Sequence, residues 1–420
     1  MKNKQTPDLR FSDFSGDWEQ RKFFDNIKSI VDFRGRTPKK LGLEWSDSGY
    51  LALSALNVKD GYIDPSADAH YGDEELYQKW MGRKELKQGQ VLFTTEAPMG
   101  NVAQVPDNKG YILSQRTIAF NVDENKIIDD FLSVLLRSPK VFNELSSLSS
   151  GGTAKGVSQK SLSQLKVKVP QSLEEQKKIG ELLNQLDNTI ALHQQELDTL
   201  KQTKQGFLQK MFPKEGESVP EIRFPSFTGN WEEHKLKDIV DLLKDGTHGT
   251  HKNGKGAFLL SAKNIKNGQI IIDELVDRKI SADDYNSIFK NYKLMNEDLL
   301  ITIVGTIGQT ALYTEFTSKI AFQRSVAIIR GNEDINQNFL KSTIDSCYVQ
   351  KQLVQSASMS AQAGVYLGDL EKLTINIPEL SEQTKIGNFF KQLDDTIALH
   401  EQELDTLKQT KKAFLQKMFV

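Results

Sequence analysis

Apolar residues recur at three- and four-residue steps through two long segments of the chain, a pattern that predicts amphipathic helices. No proline interrupts either segment, and the spacing is that of a heptad seam. The seam positions are Ile179, Leu183, Leu186, Ile190, His193, Leu197 and Leu200 in the first segment, and Ile386, Phe390, Leu393, Ile397, His400, Leu404 and Leu407 in the second. A helix of about 36 residues is roughly 54 Å long. It cannot bury such a stripe against its own half of the chain, so each helix needs a partner helix.

The chain is an internal repeat. Residues 7–19 return as residues 220–232, and residues 175–212 return as residues 382–419 with 29 identities in 38 positions. Weaker matches lie between, among them residues 54–61 with 261–268, Gln115-Arg116 with Gln323-Arg324, and an alternating strand that ends at Pro170 with one that ends at Pro378. The two halves therefore share a fold, which we expect to be a mixed domain followed by one helix.

The predicted class is α+β, with domains at 1–170 and 214–378 and helices at 171–213 and 379–420. The helices are nearly identical, whereas the domains keep scaffold positions and differ between them. This pattern favours constant supports that carry variable domains; drift after duplication, with the helices constrained by mutual packing, is the alternative.

A pseudo-two-fold axis perpendicular to the helices would make them antiparallel and place one domain at each end. His193 and His400 should then approach each other near the axis. We expect them to be seam histidines without chemistry rather than a pH switch or a metal site.

Composition limits the class of protein. The 420 residues suffice for two domains, and the longest apolar runs are far too short to span a membrane. The N-terminus lacks the apolar stretch of a secretory signal, so we expect a cytoplasmic protein. The single cysteine, Cys347, excludes an internal disulfide, and we expect it to be buried. A net charge of −2 means that nucleic-acid binding would require the 54 Lys and Arg residues to be segregated in space.

Several motifs together resemble those of specificity subunits of type I restriction-modification systems, over essentially the whole chain. They are the repeated Arg-Phe-x-x-Phe-x-Gly-x-Trp-Glu opening at Arg10 and Arg223, the Gly308 turn after an apolar strand, and the signature Gln-x-Lys-Ile-Gly at Gln176 and Gln383.

The resemblance implies two target recognition domains, each of which reads one half of a split double-stranded DNA sequence, with the helices as an antiparallel coiled coil that sets the gap. It also implies two methyltransferase subunits that bind S-adenosylmethionine and methylate adenine, and restriction subunits that use ATP and Mg to translocate and cleave DNA. This chain would be the non-catalytic specificity subunit, without a cofactor of its own.

Motifs of catalysis are weak or missing in the sequence. No Pro-Pro pair occurs, which disfavours an amino-methyltransferase loop. Residues 249–255 resemble a phosphate-binding loop, but Gly256 stands where a Ser or Thr should hold magnesium. His248 and His251 lack a nearby third ligand for zinc.

DNA contacts are expected in loops that differ between the halves, because phosphate contacts position a protein and base contacts give specificity. The candidates in the two irregular loops are Arg34, Arg36, Thr37 and Lys39 in the first half, and Lys244, His248, Thr250, His251 and Lys252 in the second. The alternative for both loops is a solvated surface turn.

Further candidates occupy positions that match between the halves or lie in small-residue loops: Asn57, Lys59, Arg116 and Lys155 in the first half, and Asn264, Lys266, Arg324 and Gln362 in the second. The asparagines could grip adenine or cap a turn. The arginines, shared by both halves, favour a phosphate contact or a structural ion pair.

Two other functions remain as alternatives. A coiled-coil scaffold that binds proteins would show no salt-dependent, sequence-selective DNA binding. A self-sufficient restriction-modification polypeptide would need the missing methyltransferase and nucleotide motifs.

Overall fold

The chain forms two compact units. The computed structural model describes residues 6–149, 155–357 and 364–420. The first unit contains Met1–Gln194 and Glu403–Val420, and the second contains Gln195–Gln402. Both divisions fall within the long helices rather than at their ends, so the domain limits predicted from the sequence stay a prediction.

The first unit combines short strands with helices. Its strands are β1 (Glu19–Lys22), β2 (Ile27–Asp32), β3 (Tyr50–Leu53), β4 (Tyr71–Gly72), β5 (Val91–Thr94), β6 (Val102–Gln104), β7 (Ile112–Leu113), β8 (Thr117–Val122) and β9 (Lys166–Val169). Its helices are α1 (Glu74–Met81), α2 (Asp129–Arg137), α3 (Pro139–Leu148), α4 (Gln159–Gln164) and the start of α5 (Leu173–Lys210).

An antiparallel sheet in the order β2-β8-β5-β6 lies at the centre of this unit. Successive side chains of a strand point to opposite faces, and both faces of β5 are covered. Phe93 belongs to one apolar core and Leu92 to a second. The second core also packs on the sheet β4-β3-β7, in which β3 and β7 are parallel.

The second unit repeats these elements in the same order. Its strands are β10 (Glu232–Lys235), β11 (Val240–Asp245), β12 (Asn253–Leu260), β13 (Ile265–Lys266), β14 (Gln269–Ile270), β15 (Lys279–Ile280), β16 (Leu299–Thr302), β17 (Thr310–Leu312), β18 (Ile320–Phe322), β19 (Val326–Gly331) and β20 (Thr374–Ile377). Its helices are α6 (Ala282–Ile288), α7 (Gln337–Asp345), α8 (Cys347–Ser356), α9 (Leu367–Leu370) and most of α10 (Leu380–Lys417).

The sheet orders confirm that the halves share a fold. The central sheet runs β11-β19-β16-β17 and the smaller sheet β15-β12-β18, with β12 parallel to β18. Each unit also pairs its first strand with its last, β1 with β9 and β10 with β20. The β13–β14 hairpin of the second unit corresponds to a single bridge between Val58 and Ile63 in the first. The predicted α+β class with a duplicated domain is therefore confirmed.

Each unit holds a segment of both long helices, and the segments run antiparallel as predicted. In the first unit Lys411 Nζ lies 2.5 Å from the Asp187 carboxylate, and Lys408 Nζ donates to the Gln194 side chain at 3.4 Å. A residue later in α5 thus meets a residue earlier in α10.

The second unit shows the same polarity between α5 and α10. Lys204 Nζ lies 2.5 Å from Asp394, and Lys201 Nζ lies 2.6 Å from Glu401. All fourteen predicted seam residues are buried or half-buried, which agrees with a coiled-coil seam.

The seam histidines lie beside carboxylates of their own units. His193 Nδ1 is 3.9 Å from Glu403, and His400 Nδ1 is 4.0 Å from Glu196. Their expected mutual approach and their lack of chemistry stay predictions.

The repeated opening motif fixes the long helix to its domain. Arg10 donates to both oxygens of Glu175, at the start of α5, at 2.7 and 2.8 Å, and to the Gly16 carbonyl at 2.5 Å. Trp18, which is 2% exposed, donates its indole N–H to the same carboxylate at 3.2 Å. The motif therefore binds helix α5 through a buried charge.

The second unit repeats this contact. Arg223 donates to both oxygens of Glu382 at 2.7 Å and to the Gly229 carbonyl at 2.6 Å. Two independent copies of the same ion pair explain why this sequence motif is among the best kept in the repeat.

The helix signature Gln-x-Lys-Ile-Gly has a structural basis as well. Gln176 bonds the backbone of Lys126, Ile128 and Pro170, so it ties α5 to the loop before α2. A Cβ on Gly180 would lie 2.7 Å from Asp130 Cβ and 2.8 Å from its backbone carbon, so only glycine allows α5 to cross α2 this closely.

The expectation for Cys347 was wrong. Its side chain is exposed at the first position of α8, where Sγ accepts a long hydrogen bond of 3.5 Å from Gln205. An apolar residue type predicts burial, but helix starts often lie at the surface.

Candidate nucleic-acid interface

The loop after β2 begins with a carboxylate that holds an arginine. Arg34 Nε donates to the two Asp32 oxygens at 3.0 and 2.8 Å, and Nη2 lies 2.6 Å from Oδ2. Gln159, at the start of α4, donates to the same carboxylate at 3.0 Å. Burial alone would raise the pKa of Asp32, but its bonds to Arg34 and Gln159 and the guanidinium charge hold that pKa below its ordinary value. Asp32 is therefore an anion at neutral pH.

The two arginines of this loop have different environments. Arg36 lies over the Phe33 ring at 4.3 Å and donates to the Trp80 carbonyl, so its guanidinium is part of the domain's packing. The Arg34 side chain is 38% exposed. Thr37 then caps a short helical turn by accepting from the Lys40 amide at 3.3 Å.

Lys39 lies on that turn and is exposed. It therefore remains a candidate for a phosphate contact.

The loop after β11 is built in a similar way from other residues. Asp245 ends the strand, and its carboxylate pairs with the exposed imidazole of His248. His251 Nε2 contacts Thr247 Oγ1 at 3.0 Å, which makes it a half-buried part of the loop.

The other candidates of this loop are mostly exposed. Lys244 Nζ lies 5.4 Å from the centre of the Tyr292 ring, and burial raises the pKa of that tyrosine to about 12. The Lys252 amide donates to Asp284 at 2.6 Å, and Thr250 is exposed.

Other segments converge on the same end of the first unit's central sheet. Glu96, just after β5, forms a bridge with Gly156, and its carboxylate lies 3.8 Å from Arg116 Nε. Arg116 has a left-handed backbone with φ of 62°, and its side chain is about half exposed. Lys155 is exposed next to Gly156. Strained non-glycine residues are concentrated at functional sites, which makes this cluster part of the candidate interface.

The equivalent end of the second unit has the same backbone plan. Val304 bridges Gly364, and Thr247 bridges Gln323. The Arg324 amide donates to the Thr247 carbonyl at 3.1 Å, and the Arg324 side chain is exposed. The residue after β16 that matches Ala97 (φ 49°) is Gly305 (φ 88°), so only the first unit places a side chain on this strained backbone.

The predicted pairing of Arg116 with Arg324 was wrong. Leu53 lies opposite Leu113, whereas Leu260 lies opposite Phe322, so this part of the repeat is offset by 209 residues rather than 208. Arg116 therefore corresponds to Ser325, and Arg324 to Gln115. A short dipeptide match cannot detect a one-residue slip, and the argument from a shared arginine loses its basis.

Asn57 and Asn264 act as turn caps in the structure. Asn57 is fully buried, accepts from the Ser54 amide at 2.9 Å and donates to the Ala52 carbonyl at 2.7 Å. Asn264, 4% exposed, accepts from the Ser261 amide at 3.0 Å. Of the two alternatives, capping describes these side chains.

The neighbouring lysines differ from the asparagines in exposure. Lys59 is half-buried and Lys266 is exposed. Gln362, also predicted from the sequence, lies outside the described residues.

The segment that resembles a phosphate loop is not built as one. Asn253–Leu260 is strand β12, so Lys255 and Gly256 lie within a strand. A phosphate loop needs its last residues at a helix N-terminus.

Sequence comparison now identifies the protein's relatives. The family of type I restriction-modification DNA specificity domains matches residues 16–202 and 228–409, one match to each copy of the repeat. The chain belongs to this family.

Specificity subunits of two type I restriction enzymes are similar over most of their length. The type I restriction enzyme MjaVIII specificity subunit of Methanocaldococcus jannaschii is 25% identical over 95% of this chain and 91% of its own. The EcoBI specificity subunit of Escherichia coli is 28% identical over 67% of this chain and 62% of its own.

A solved structure shares the fold of this specificity subunit. The crystal structure of the S subunit of a type I system from M. genitalium superimposes with a TM-score of 0.68 at 15% identity and covers 99% of both chains. The two chains therefore share a fold although most of their aligned residues differ.

Sequence reasoning missed the carboxylates of the specificity subunit's candidate interface. Asp32, Asp245 and Glu96 each contact a basic side chain that was predicted, but none was itself a candidate. An available signal was the Asp at the end of an apolar strand, two or three residues before a basic residue and a glycine, in both halves. Among the described residues, no helix is long and apolar enough to cross a lipid bilayer.

Proposed function

We propose that this specificity subunit gives a type I restriction-modification complex its DNA sequence, with each unit reading one half of a bipartite, asymmetric target. The main supporting observation is that the two central sheets have the same backbone arrangement at one end but carry different side chains there. The loop after β2 carries Arg34 and Lys39, whereas the loop after β11 carries His248 and Thr250. At the start of the neighbouring strand, Arg116 of the first unit corresponds to Ser325 of the second. Different donors on equivalent backbones select different bases.

The long helices then set the gap between the half-sites. Each is a proline-free helix of 38 residues, which corresponds to about 57 Å. Half-sites one turn of DNA apart have centres roughly 34 Å apart, which is within reach of domains carried on such helices.

The chain itself is non-catalytic in this proposal. Two methyltransferase subunits would bind S-adenosylmethionine and methylate adenine, and restriction subunits would use ATP and Mg to translocate and cleave DNA. Two observations support this proposal. The chain belongs to the specificity-domain family, and residues 253–260 form a strand rather than a phosphate-binding loop.

The direct test is selection of DNA by the full chain from a library with two randomised segments and a variable gap. We expect salt-dependent binding to two unlike half-sequences at one preferred spacing. Binding without sequence preference, or a single contiguous site, would contradict the proposal.

A second experiment tests the helices. One heptad is inserted at equivalent positions in the middle of α5 and α10, which lengthens both by about 10 Å. The preferred gap should grow by about three base pairs, while both half-sequences stay the same. Altered half-sequences would show that the helices also take part in base recognition.

A further inference from the structure

We propose that Asp32 and Arg34 form a guanine-reading pair: Arg34 contacts a G·C pair of the first half-site, and Asp32 is the positioning residue that orients its guanidinium. This inference rests on the proposed function and names the base pair and the residues for one half of the target.

The geometry of the ion pair is the first argument. Asp32 takes the Nε–Nη2 edge of the guanidinium, with contacts of 2.6 to 3.0 Å. The Arg34 amide also donates to Asp32 Oδ1 at 3.0 Å, so backbone and side chain are held by one carboxylate. A guanidinium has five N–H donors in a planar fork, so the Nη1 side can still make a forked contact.

Guanine is the base that fits such a fork. It presents two acceptors, N7 and O6, side by side in the major groove, and a forked contact from arginine is the commonest specific protein–DNA contact. A carboxylate behind the guanidinium fixes the plane of the fork. It also weakens the attraction to phosphates, which favours specificity over non-specific affinity.

The carboxylate is itself held in place. Gln159 of α4 donates to Asp32 Oδ2 at 3.0 Å, and β2 pairs with β8 up to the register Asp32–Ile118. The pair thus stands at the end of a paired strand, beside the segment that contains Arg116. Rigid support of this kind is what base recognition requires.

The Arg34 side chain is 38% exposed, so part of it is accessible to a ligand. Gly35 follows Arg34 with φ of 85°, and no described residue lies within 4 Å of a Cβ built there. Arg36, by contrast, is packed against Phe33 and Trp80. The structure therefore separates the two arginines that the sequence alone could not distinguish.

The second unit holds a basic side chain in a comparable way but with different chemistry. Asp245 pairs with His248, which precedes Gly249 with φ of 88°, and in the described part of the chain nothing lies within 4 Å of a Cβ built on Gly249. An imidazole cannot form the arginine fork. The second half-site should therefore not depend on a forked arginine contact at the matching position.

The test is the same DNA selection, carried out with the full chain and the variants Arg34→Ala, Arg34→Lys and Asp32→Asn. Arg34→Ala should lower the preference for guanine at one position of one half-site by at least about tenfold. Arg34→Lys keeps the charge but loses the fork, so it should lower that preference almost as much. Asp32→Asn should relax the same position without weakening binding to non-specific DNA, because one negative charge is lost.

The matched controls are Lys39→Ala, which should weaken binding to all sequences alike, and Asp245→Asn, which should affect only the other half-site. A wild-type chain that selects no sequence would contradict the proposed function itself. A chain that selects two half-sites, but keeps every base preference in Arg34→Ala or full guanine preference in Arg34→Lys, would overturn only the guanine-reading pair.

Discussion

The two units use the same helix aspartate but meet it with different cations. In the first unit Asp187 of α5 contacts Arg137 at 2.5 Å, and Arg137, the last residue of α2, also pairs with Asp60. In the second unit the equivalent Asp394 of α10 contacts Lys341, which is in the middle of α7 and nearly buried. A buried carboxylate needs a nearby cation, but not a cation at a particular position. The helices therefore constrain the domains through charge and close packing, while the domain sequences are free to diverge.

The interface loops show the opposite relation. There the backbone plan is shared, and the side chains that face outward differ, as with Arg34 and His248. The comparison separates the contacts that hold the molecule together from the side chains that would select DNA in the proposed function. Four predictions test this separation.

The largest effect should come from the buried ion pair of the opening motif. Glu175→Ala leaves Arg10 without its partner and should destabilise the first unit by about 3–5 kcal/mol. Glu382→Ala should cost the second unit about 1 kcal/mol less, because Trp18 donates to Glu175 whereas Trp231 Nε1 has no hydrogen-bond partner among the described residues.

Denaturant unfolding, followed by hydrogen exchange in each unit, measures both losses. Equal losses in the two variants would show that the Trp18 hydrogen bond adds nothing to the first ion pair. A loss that spreads evenly over both units would show that neither ion pair stabilises its own unit alone.

The glycine of the helix signature should give the next effect. Gly180→Ala and Gly387→Ala each place a Cβ 2.7 Å from atoms of the neighbouring helix start, and such overpacking costs about 1–3 kcal/mol. The thermal midpoint of each variant measures this loss.

Gly206→Ala is the matched control, since a Cβ built on Gly206 has no described residue within 4 Å and the equivalent position is already Ala413. It should be neutral or stabilise α5 by up to about 1 kcal/mol. A loss as large as that of Gly180→Ala would mean that helix flexibility, not close packing, explains these glycines.

The first residues of α2 and α7 provide a pH-dependent comparison. Asp129 has its pKa raised to about 6, mainly by burial and further by Asp130 and Glu124, whereas the equivalent residue in the second unit is the neutral Gln337. The folded state thus binds the proton of Asp129 more tightly than the unfolded state does, so the stability of the first unit should fall as the pH rises from about 4 to 6.

Asp129→Asn should remove this loss and stabilise the first unit at pH 7 by on the order of 1–2 kcal/mol. Denaturant unfolding at pH 4 and at pH 7 gives the two values. A gain of equal size at both pH values would show that the charge of Asp129 is not the cause.

The smallest effect concerns a single phosphate contact. In a plot of the logarithm of the DNA-binding constant against the logarithm of the salt concentration, Lys39→Ala should make the negative slope less steep by about 0.9. The sequence preference should not change. Lys252→Ala should do the same from the second unit. A change of base preference in either variant would show that the substituted lysine contacts a base rather than a phosphate.

Much of the fold could be predicted because it depends on patterns that span many residues. The duplication, the heptad seams at residues 179–200 and 386–407 and the antiparallel polarity follow from periodicity and near-identity, which small local errors do not disturb. The site was predicted less completely. Arg34 and Arg36 are two arginines of one loop, and the sequence does not distinguish them. In the folded chain Arg36 packs against Phe33 and Trp80, whereas Arg34 is exposed.

The amino-acid sequence was sufficient to predict a repeat of an α+β domain and a long helix. A buried apolar stripe produces a regular spacing of apolar residues, and two copies of one fold produce a repeated sequence. The tertiary structure alone decided which polar residues meet. Asp32 and Gln159 are 127 residues apart, and Arg137 and Asp187 are 50 apart. Their contacts depend on how strands and helices pack in three dimensions, and no local pattern records such pairings.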